Sequence, residues 1–510
     1  MTRRAVPLSP EIRALLAAAR ELLDGPGYLV GGSLRDLLLG RAPADLDLAV
    51  AGPSPGRTPA FARALADRLG GHFVLLDEER GTARIVLDEG AVRIIDVARL
   101  RGDIESDLAQ RDFTIDAIAA PIDALVAGDT VELIDPASGL RDLRSRTVRL
   151  VAEQALVDDP LRLLRAVRIA AQLDFAIDRA TAEALRRHAG RIGDVAAERI
   201  RDELARCLAT PRAAQALRLL DSLGLLDLLL PEVTAGRGVE QPKEHHWDVL
   251  GHAFEAVAAL DFLLAEEEPS GRRERSFRRA LWDALAVEPG LRAHLAVEVS
   301  EGRSRATLLK LAGLLHDVAK PQTRAPDATG RIRFFGHAEL GAETARAVLR
   351  RLRFSRREAD LVALMVEEHL RPGQLGATDT EPPTRRALFR FYRDTGDAAE
   401  SILLLSLADA LAARGPRMDL DRWRGHAAYV AHVLTRRREE ETIARPQRLL
   451  TGDEIMAALA IGPGPAVGRL LDALEEAQAD GEVASHDEAL AFARRLHERE
   501  PALAAAGGRA

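Results

Sequence analysis

The sequence contains a single cysteine, Cys207, in 510 residues. One thiol cannot form an internal disulfide or a zinc site built from several thiolates, so both are excluded. Because Cys207 lies in an apolar helical stretch, we expect it to be buried. Aromatic residues make up only 4% of the chain, whereas leucine, alanine and arginine are abundant. These three residues lose little free energy on entering a helix, so the composition predicts a largely helical protein.

The chain also lacks a long uncharged apolar run. Charged residues such as Glu11, Arg13 and Arg20 interrupt the apolar positions near the start, which excludes the hydrophobic segment of a signal peptide. No later stretch of about 18 uncharged apolar residues suggests a membrane span. We therefore expect a cytoplasmic protein with no membrane partner.

The formal net charge is −8, which argues against a surface that binds nucleic acid everywhere. Arginines nevertheless cluster at 141–149 and at 162–168, and a local basic groove would hold a polyanion at one place. Solvated helix faces explain any single one of these arginines equally well. The hydrophobic content of 47% and the length predict a folded chain of three or four domains of about 150 residues each.

Strand and helix patterns are mixed up to about residue 150, and helical patterns dominate from Asp158 onward. The predicted fold class is therefore α+β, with a mixed α/β head followed by all-α domains. The predicted domains are a head at 1–150, a helical neck and body at 151–240, a helical domain at 241–430 with a charged insertion at 266–304, and a helical tail at 431–510.

A glycine turn precedes two carboxylates in the predicted head. The strand Tyr28–Val30 leads into Gly31-Gly32-Ser33, where backbone amides can approach phosphate oxygens without a Cβ in the way. Asp45 and Asp47 lie two residues apart on a predicted strand, so both project from one face. Two such carboxylates repel each other unless a cation lies between them, and Mg²⁺ prefers oxygen ligands that it shares with phosphates. A solvated strand face explains an isolated Asp-x-Asp, but the preceding glycine turn favours a metal site.

A third carboxylate, Asp96, lies on a later predicted strand. Together with Asp45 and Asp47 it would complete a two-metal site for in-line displacement at an α-phosphate.

The run from Leu29 to Arg41, followed by Asp45-Leu46-Asp47, resembles the first motif of bacterial class II CCA-adding enzymes and poly(A) polymerases. These enzymes belong to the DNA polymerase β nucleotidyltransferase superfamily. Four later segments resemble the second to fifth motifs in order, at 111–117, 134–143, 158–166 and 198–204. The resemblance implies a Mg²⁺-dependent enzyme that adds C and A from CTP and ATP to the tRNA 3′ end, to give CCA.

The resemblance also implies roles for single residues. The second motif contacts the nucleotide sugar, and Asp159 with Arg162 in the fourth motif pairs with the edge of the incoming base. Such a pair suits this task because arginine donates in a fork and aspartate accepts. The predicted nucleotide-binding residues are Gly31, Gly32, Ser33, Arg35, Arg111, Asp112, Asp159, Arg162 and Arg165.

Two departures from the family pattern bear on the product. The second motif usually reads Arg-Arg-Asp-Phe-Thr-Ile-Asn-Ala, whereas this chain has Gln110 and Asp116 at the first and seventh positions. In addition, only the segment Arg99–Gln110 separates the strand of Asp96 from the second motif. CCA-adding relatives usually carry a longer flexible loop there, which is tied to adding the final A, and CC-adding enzymes lack it. CC addition is therefore an alternative to CCA addition, and poly(A) synthesis is another.

A second group of residues with metal-ligand chemistry lies in the helical part. His316 and Asp317 are adjacent and follow an apolar helical run. Imidazole and carboxylate ligands suit Mn, Ni, Fe, Zn or Mg, and a bound metal would activate water against a phosphoester. The order of ligands resembles the HD phosphohydrolase superfamily. The resemblance implies a basic metal set of His252, His316, Asp317 and Asp409, and extra ligands of two-metal members at His337 and His369.

The HD resemblance implies a possible phosphatase or 2′,3′-cyclic phosphodiesterase activity, and a structural or vestigial metal site is the alternative. His245 and His246 are alternatives to His252, but they precede the predicted helix. A protein whose main activity is HD phosphohydrolysis, or an RNA-binding factor without catalysis, would belong to another class. The intact carboxylate pair in the head and the intact His316-Asp317 pair argue against the second of these. The sequence predicts no oligomeric state.

Overall fold

The computed structural model describes residues 2–52, 56–242, 245–265, 275–280, 289–300, 302–376, 382–439 and 449–506. The chain divides into two compact units, which are Met1–Thr210 with Ala216–Leu229, and Pro211–Gln215 with Leu230–Ala510. The predicted domain boundaries at 150, 240 and 430 stay predictions. Of the predicted charged insertion, residues 266–274, 281–288 and 301 lie outside the described residues.

A six-stranded sheet forms the centre of the first unit, with the strand order β4-β5-β6-β3-β2-β7. Strands β3 and β6 run parallel, and the other neighbours in this sheet are antiparallel. The strands of the first unit are β1 Thr2–Ala5, β2 Gly27–Val30, β3 Asp45–Val50, β4 His72–Asp77, β5 Thr82–Val86, β6 Ile94–Arg99, β7 Ala119–Pro121, β8 Thr130–Leu133, β9 Thr147–Val148 and β10 Ala176–Ile177. Outside the sheet, β1 pairs with β8, and β9 pairs with β10.

Strand β3 shows why the sheet forms here. Its alternating sequence buries Leu46 and Leu48, whereas Asp45 and Asp47 on the other face are more accessible. Burial of one leucine side chain contributes roughly 1.5–3 kcal/mol, which fixes the register of the strand with its carboxylates on the open face.

The helices up to residue 229 are α1 Pro10–Leu22, α2 Gly31–Leu38, α3 Arg57–Leu69, α4 Ile104–Ala109, α5 Ile122–Ala127, α6 Gly139–Arg144, α7 Gln154–Asp158, α8 Arg162–Leu173, α9 Arg179–His188, α10 Ala197–Ala209, α11 Ala213–Ser222 and α12 Leu226–Leu229. Helix α3 packs against β4, β5 and β6, and α8 packs against α10. Cys207 on α10 is buried as expected, and burial raises the pKa of its thiol to about 12.

The described helices of the second unit are α13 Pro231–Thr234, α14 Val249–Leu264, α15 Pro289–Ala296, α16 Arg305–Leu315, α17 Lys320–Thr323, α18 His337–Arg351, α19 Arg356–Glu367, α20 Arg385–Thr395, α21 Ala399–Arg414, α22 Leu420–Glu439, α23 Gly452–Leu459, α24 Pro465–Ala479 and α25 His486–Ala506. Every residue of α16 except Ala306 is buried, because α14, α19 and α21 pack around it. This central position explains its nearly continuous apolar sequence.

Two short hairpins interrupt the helical pattern that the sequence predicts for this part of the chain. Strands β11 Glu298–Ser300 and β12 Arg303–Ser304 form the first, and β13 Ala325–Pro326 and β14 Ile332–Arg333 form the second. Gly302 and Gly330 have φ values of +70° and +79°, so each supplies the left-handed turn that reverses the chain. Among the described residues, no helix is both long and apolar enough to cross a membrane.

The helices α23, α24 and α25 share a small core of their own, which includes Ile455, Leu470 and Leu474. Glu476 of α24 also contacts α20, where it accepts hydrogen bonds from three arginines. These are Arg386, Arg390 and Arg393, and the shortest distances are 2.9, 2.6 and 3.4 Å, respectively. The guanidinium groups of Arg390 and Arg386 outweigh the opposing effect of burial and lower the pKa of Glu476 to about 2, which keeps the contact ionic at neutral pH.

Candidate active site and metal centre

The glycine turn of the head holds one of the predicted catalytic carboxylates in place. Gly31 has a φ of +67°, and a Cβ at this position would lie 2.9 Å from Asp47 Oδ2. The Ser33 amide donates to Asp47 Oδ2 at 3.3 Å, and the Asp47 amide donates to Ser33 Oγ at 3.0 Å. The Ser33 amide is therefore directed at Asp47, and the predicted approach of the Gly31 and Gly32 amides to a phosphate stays a prediction.

The three predicted carboxylates lie side by side on one face of the sheet. The parallel register pairs Asp47 on β3 with Asp96 on β6, and Asp45 lies two residues before Asp47. Burial, opposed by the Ser33 amide and reinforced by the charge of Asp96, raises the pKa of Asp47 to about 6. Burial and the charge of Asp96 also raise the pKa of Asp45. Because Asp45 and Asp47 resist ionisation without a counter-charge, the chemistry of this face fits a divalent cation.

Arg84 binds Asp96 through both carboxylate oxygens, at 2.8 and 2.9 Å. The antiparallel register of β5 and β6 places the two residues opposite each other. Sequence reasoning missed Arg84, because this pairing depends on the register of two strands. The only sequence signal is the alternation of β5, which turns Arg84 away from the buried Ala83 and Ile85.

Arg35 lies in the protein interior. Its guanidinium is 2.7 Å from Asp116 and 2.9 Å from Asp36, so it joins the first motif to the second. Burial lowers its pKa, but these two carboxylates outweigh burial and raise it above the ordinary value. Arg35 is therefore committed to two protein carboxylates, and its predicted contact with a nucleotide stays a prediction. Asp116, one of the two departures from the family pattern, is the partner that binds it.

The other predicted nucleotide-binding residues of the second motif lie near this pair. Arg111 contacts Asp107 at 3.2 Å, and its charge partly opposes the burial that raises the pKa of the nearby Asp47. Asp112 is buried and accepts from Arg165 at 2.9 Å. Burial raises the pKa of Asp112, but the charges of Arg165 and Arg162 outweigh it and lower the pKa. Arg165 therefore anchors α8 to the second motif.

The predicted base-reading pair is arranged by neighbours that the sequence did not identify. Arg162 donates to the carbonyl of Ala155 at 3.2 Å, and Asp159 Oδ2 accepts from Arg199 at 2.8 Å. Arg199 lies in the first turn of α10, within the fifth motif, and is 40 residues after Asp159 in the sequence. Asp159 and Arg162 are thus each held by another group, and both keep partly accessible side chains.

All six predicted metal ligands of the second unit converge. His252 Nε2 on α14 lies 3.1 Å from His316 Nε2, 3.3 Å from Asp317 Oδ2 and 3.0 Å from Asp409 Oδ1. On the other side of Asp317, Oδ1 lies 3.4 Å from His337 Nε2 and 3.8 Å from His369 Nε2. Asp317 therefore stands between two groups of ligands, as a carboxylate shared by two cations would.

Backbone carbonyls orient three of the histidines. The Nδ1 atoms of His316, His337 and His369 lie 2.9, 2.6 and 2.6 Å from the carbonyls of Gly313, Phe334 and Val366, respectively. An Nδ1–H that donates to a carbonyl leaves Nε2 as the free ligand atom, which is the usual arrangement around a metal. Each of these histidines points Nε2 toward Asp317.

The charges and pKa values of this cluster fit a bound cation. Burial lowers the pKa of His316, but Asp317 and Asp409 outweigh burial and raise it to about 10. Burial lowers the pKa of His369 to about 4, so His369 is neutral at pH 7. Within the described residues, Asp317 Oδ1 and His337 Nε2 are buried and accept or donate no hydrogen bond. These donor atoms fit one or two divalent cations.

Lys320 and Gln241 complete the surroundings of Asp317. Lys320 Nζ lies 2.6 Å from Asp317 Oδ2 and donates to Gln241 Oε1 at 2.7 Å. Neither residue was identified from the sequence, although Lys320 follows Asp317 by only three residues. His245, the predicted alternative to His252, lies beside it with a ring-centroid distance of 5.3 Å but outside the ligand groups.

The fold and the arrangement of the site residues define two parts of the chain. The first is a head of the nucleotidyltransferase type, and the second is a helical domain with a metal-ligand cluster of the HD type. Family models agree with both parts. The model "Poly A polymerase head domain" matches residues 27–149, "Probable RNA and SrmB- binding site of polymerase A" matches 174–236, and "HD domain" matches 288–414. His252 lies before the matched HD range, so the structure is what joins it to the other ligands.

Among characterised relatives, the CC-adding tRNA nucleotidyltransferase of Thermus thermophilus is 39% identical over 91% of this chain and 92% of the relative. The A-adding tRNA nucleotidyltransferase of Deinococcus radiodurans is 38% identical over 93% and 96%. The structure of the Thermotoga maritima CCA-adding enzyme with tRNA shares the fold at a TM-score of 0.56 and 20% identity, over 97% of this chain and 99% of that one.

The chain therefore belongs to the tRNA nucleotidyltransferase family. This membership confirms the predicted resemblance, the α+β fold class and the prediction of a nucleotidyltransferase enzyme. Both kinds of domain depend on divalent metal ions.

Proposed function

We propose that the head adds C residues from CTP to the 3′ end of tRNA, with Mg²⁺ held by Asp45, Asp47 and Asp96. The observation that carries this proposal is the line of three carboxylates beside the glycine turn. In this reaction the tRNA 3′-hydroxyl attacks the α-phosphate of CTP, and pyrophosphate leaves. Bound Mg²⁺ would neutralise charge on the phosphates, as in other phosphoryl transfers.

Residues of the head and of the helices that follow it hold the metal ligands and the base-reading side chains in position. Ser33 fixes Asp47, and Arg84 holds Asp96 through both of its oxygens. Asp159 offers acceptors and Arg162 offers donors for the edge of the base, while Arg199 orients Asp159. Discrimination among bases then depends on how firmly these two side chains are held, because a loosely held pair fits several edges.

The link between Asp96 and the second motif favours a product that stops after CC. Residues Ile104–Ala109 form the helix α4, which Asp103 caps by accepting from the Ser106 amide at 2.8 Å. An ordered short helix occupies the place where CCA-adding relatives usually carry a flexible loop. The first relative described above, which matches nearly the whole chain, is named for CC addition.

Complete CCA addition with CTP and ATP, the product predicted from the motifs, is the second candidate. It is supported by the Multifunctional CCA protein of Halorhodospira halophila, which is 33% identical over 71% of this chain and 77% of the relative.

The test uses tRNA transcripts that end before CCA, after C and after CC, each supplied with labelled CTP or ATP. We expect CMP incorporation into the first two transcripts, and its loss in an Asp45→Ala/Asp47→Ala variant. Asp88→Ala, an exposed carboxylate of the head, is the matched control and should keep full activity. AMP incorporation after CC together with CMP incorporation into the first two transcripts would establish CCA addition. AMP incorporation after CC without any CMP incorporation would establish an A-adding enzyme, and long A tails would establish a poly(A) polymerase. Unchanged CMP incorporation in the double variant would refute the assignment of the head.

We also propose that the HD centre hydrolyses phosphoesters. The convergence of five further histidine and aspartate side chains at Asp317 supports this second activity. The test is hydrolysis of a 2′,3′-cyclic nucleotide by the full chain with Mn²⁺, Ni²⁺, Fe²⁺, Zn²⁺ or Mg²⁺. Asp317→Ala should abolish it, whereas Asp360→Ala, an exposed carboxylate of the same unit, should not. Hydrolysis that survives in Asp317→Ala would refute the proposal.

A further inference from the structure

The HD centre opens into a cavity of about 1050 Å³. This volume is slightly above the roughly 300–1,000 Å³ that is usual for small-molecule sites, so the cavity has room for more than a bare phosphate. Asp317, His337 and His369 lie on its inner wall, and Phe335 lies on the same lining.

Phe335 is unusual among the large apolar side chains of the described residues. It is 79% exposed, whereas its neighbour Phe334 is 9% exposed. An aromatic ring left in water forgoes the free energy of burial, and a ring exposed at a cavity with metal-ligand chemistry offers its face to a ligand.

The backbone fixes Phe335 close to the ligand group. The carbonyl of Phe334 accepts from His337 Nδ1 at 2.6 Å, and Lys320 Nζ lies 5.6 Å above the Phe334 ring. Gly336, with a φ of +75°, turns the chain directly into the helix that begins at His337. Phe335 is therefore anchored two residues from a predicted metal ligand, between a buried ring and a helix start.

Cationic side chains line the same cavity. Lys320, Arg414 and Arg422 all contribute to its wall, and the side chains of Arg414 and Arg422 form no ion pair within the described ranges. A cavity with carboxylates and imidazoles at its base, guanidinium groups on its wall and an aromatic face at its edge matches the parts of a nucleotide. The anionic phosphoester would meet the cations, and a base would meet the ring.

We propose that Phe335 stacks on the base of the nucleotide that the HD cavity takes. The inference rests on the proposed HD function and adds to it the residue that contacts the base of the substrate. Phe335 is then a specificity-determining residue, because its ring strengthens the binding of a ligand that has a base and does not contribute to the binding of a bare phosphate.

The experiment compares two probes with the Mn²⁺-loaded full chain by calorimetry, in the Asp45→Ala/Asp47→Ala background that disables the head. The probes are adenosine 3′-phosphorothioate and inorganic thiophosphate, which differ by the nucleoside. We expect Phe335→Ala to weaken binding of the nucleoside probe by about tenfold or more, which is the size of one base–aromatic stack. Binding of thiophosphate and of Mn²⁺ should stay unchanged, and Phe335→Trp should restore binding of the nucleoside probe.

Leu370→Ala is the matched control, since Leu370 is an exposed apolar residue of the same cavity beside His369. It should leave both affinities within about twofold, because it offers no aromatic face. Equal affinity of the two probes for the unmodified cavity would overturn the inference, as would an equal loss of both in Phe335→Ala. Failure of the HD proposal itself has a different signature, which is no binding of thiophosphate and no hydrolysis by the unmodified chain.

Discussion

Replacing Gly31 by alanine tests whether the glycine turn sets the position of a catalytic carboxylate. At φ +67° the new side chain costs roughly 1–2 kcal/mol of backbone strain. Its Cβ would also lie 2.9 Å from Asp47 Oδ2 and 3.2 Å from Arg111 Nη1, so Asp47 must move by a few tenths of an ångström. Because a displacement of about 1 Å can cost about 100-fold in rate, we expect a shift of a few tenths of an ångström to lower kcat for CMP transfer by roughly 3- to 10-fold.

Gly40→Ala separates the two effects. Gly40 has a φ of +72°, but a Cβ there would meet nothing within 4 Å. Both variants should therefore lose similar stability in urea unfolding, and only Gly31→Ala should lose single-turnover transfer at saturating CTP. Equal activity of the two variants would refute the steric coupling of Gly31 to Asp47.

Three further outcomes follow from the same structure. The pKa of Asp47 is about 6 against an ordinary 3.8, so between these pH values the folded chain holds a proton that the unfolded chain has released. Stability should then fall as pH rises through that window in the metal-free chain, and urea unfolding of Asp47→Asn should show a flatter profile; an unchanged profile would contradict the raised pKa. The pKa of His316 is about 10 against 6.5, so its stabilising charge is complete below pH 6.5 and is lost as pH rises toward 10. Thermal unfolding of the chain after a chelator has removed metal should show this loss of stability, and added divalent metal should abolish it. If the loss of stability persists in His316→Gln, His316 is not its source. Finally, Arg199→Gln should raise misincorporation of UTP relative to CTP by several-fold, because Asp159 loses its 2.8 Å partner, whereas Arg179→Gln on an exposed helix face should not; identical discrimination in both would show that Arg199 does not orient Asp159.

Local sequence patterns were sufficient to predict many of the secondary-structure elements and candidate site residues of this protein. The alternation of Asp45–Val50 predicted β3 with its observed bounds, because burial of Leu46 and Leu48 leaves no other register. The order of histidines and aspartates along the helices predicted the six side chains that the structure brings together at Asp317, and their role as metal ligands stays a prediction. The two hairpins of the second unit were missed, since strands of two or three residues leave too few positions for a periodic signal.

The sequence by itself determined the family and the reaction class, because the motifs that carry the resemblance are short contiguous segments. It also supplied the candidate site residues, whose roles stay predictions. The tertiary structure alone decided how those residues are held. Arg84 reaches Asp96 through the pairing of two strands, Arg35 reaches Asp116 across the interior, and Arg199 reaches Asp159 from another helix. Such partners depend on strand register and helix packing, which long-range burial fixes and no local spacing records.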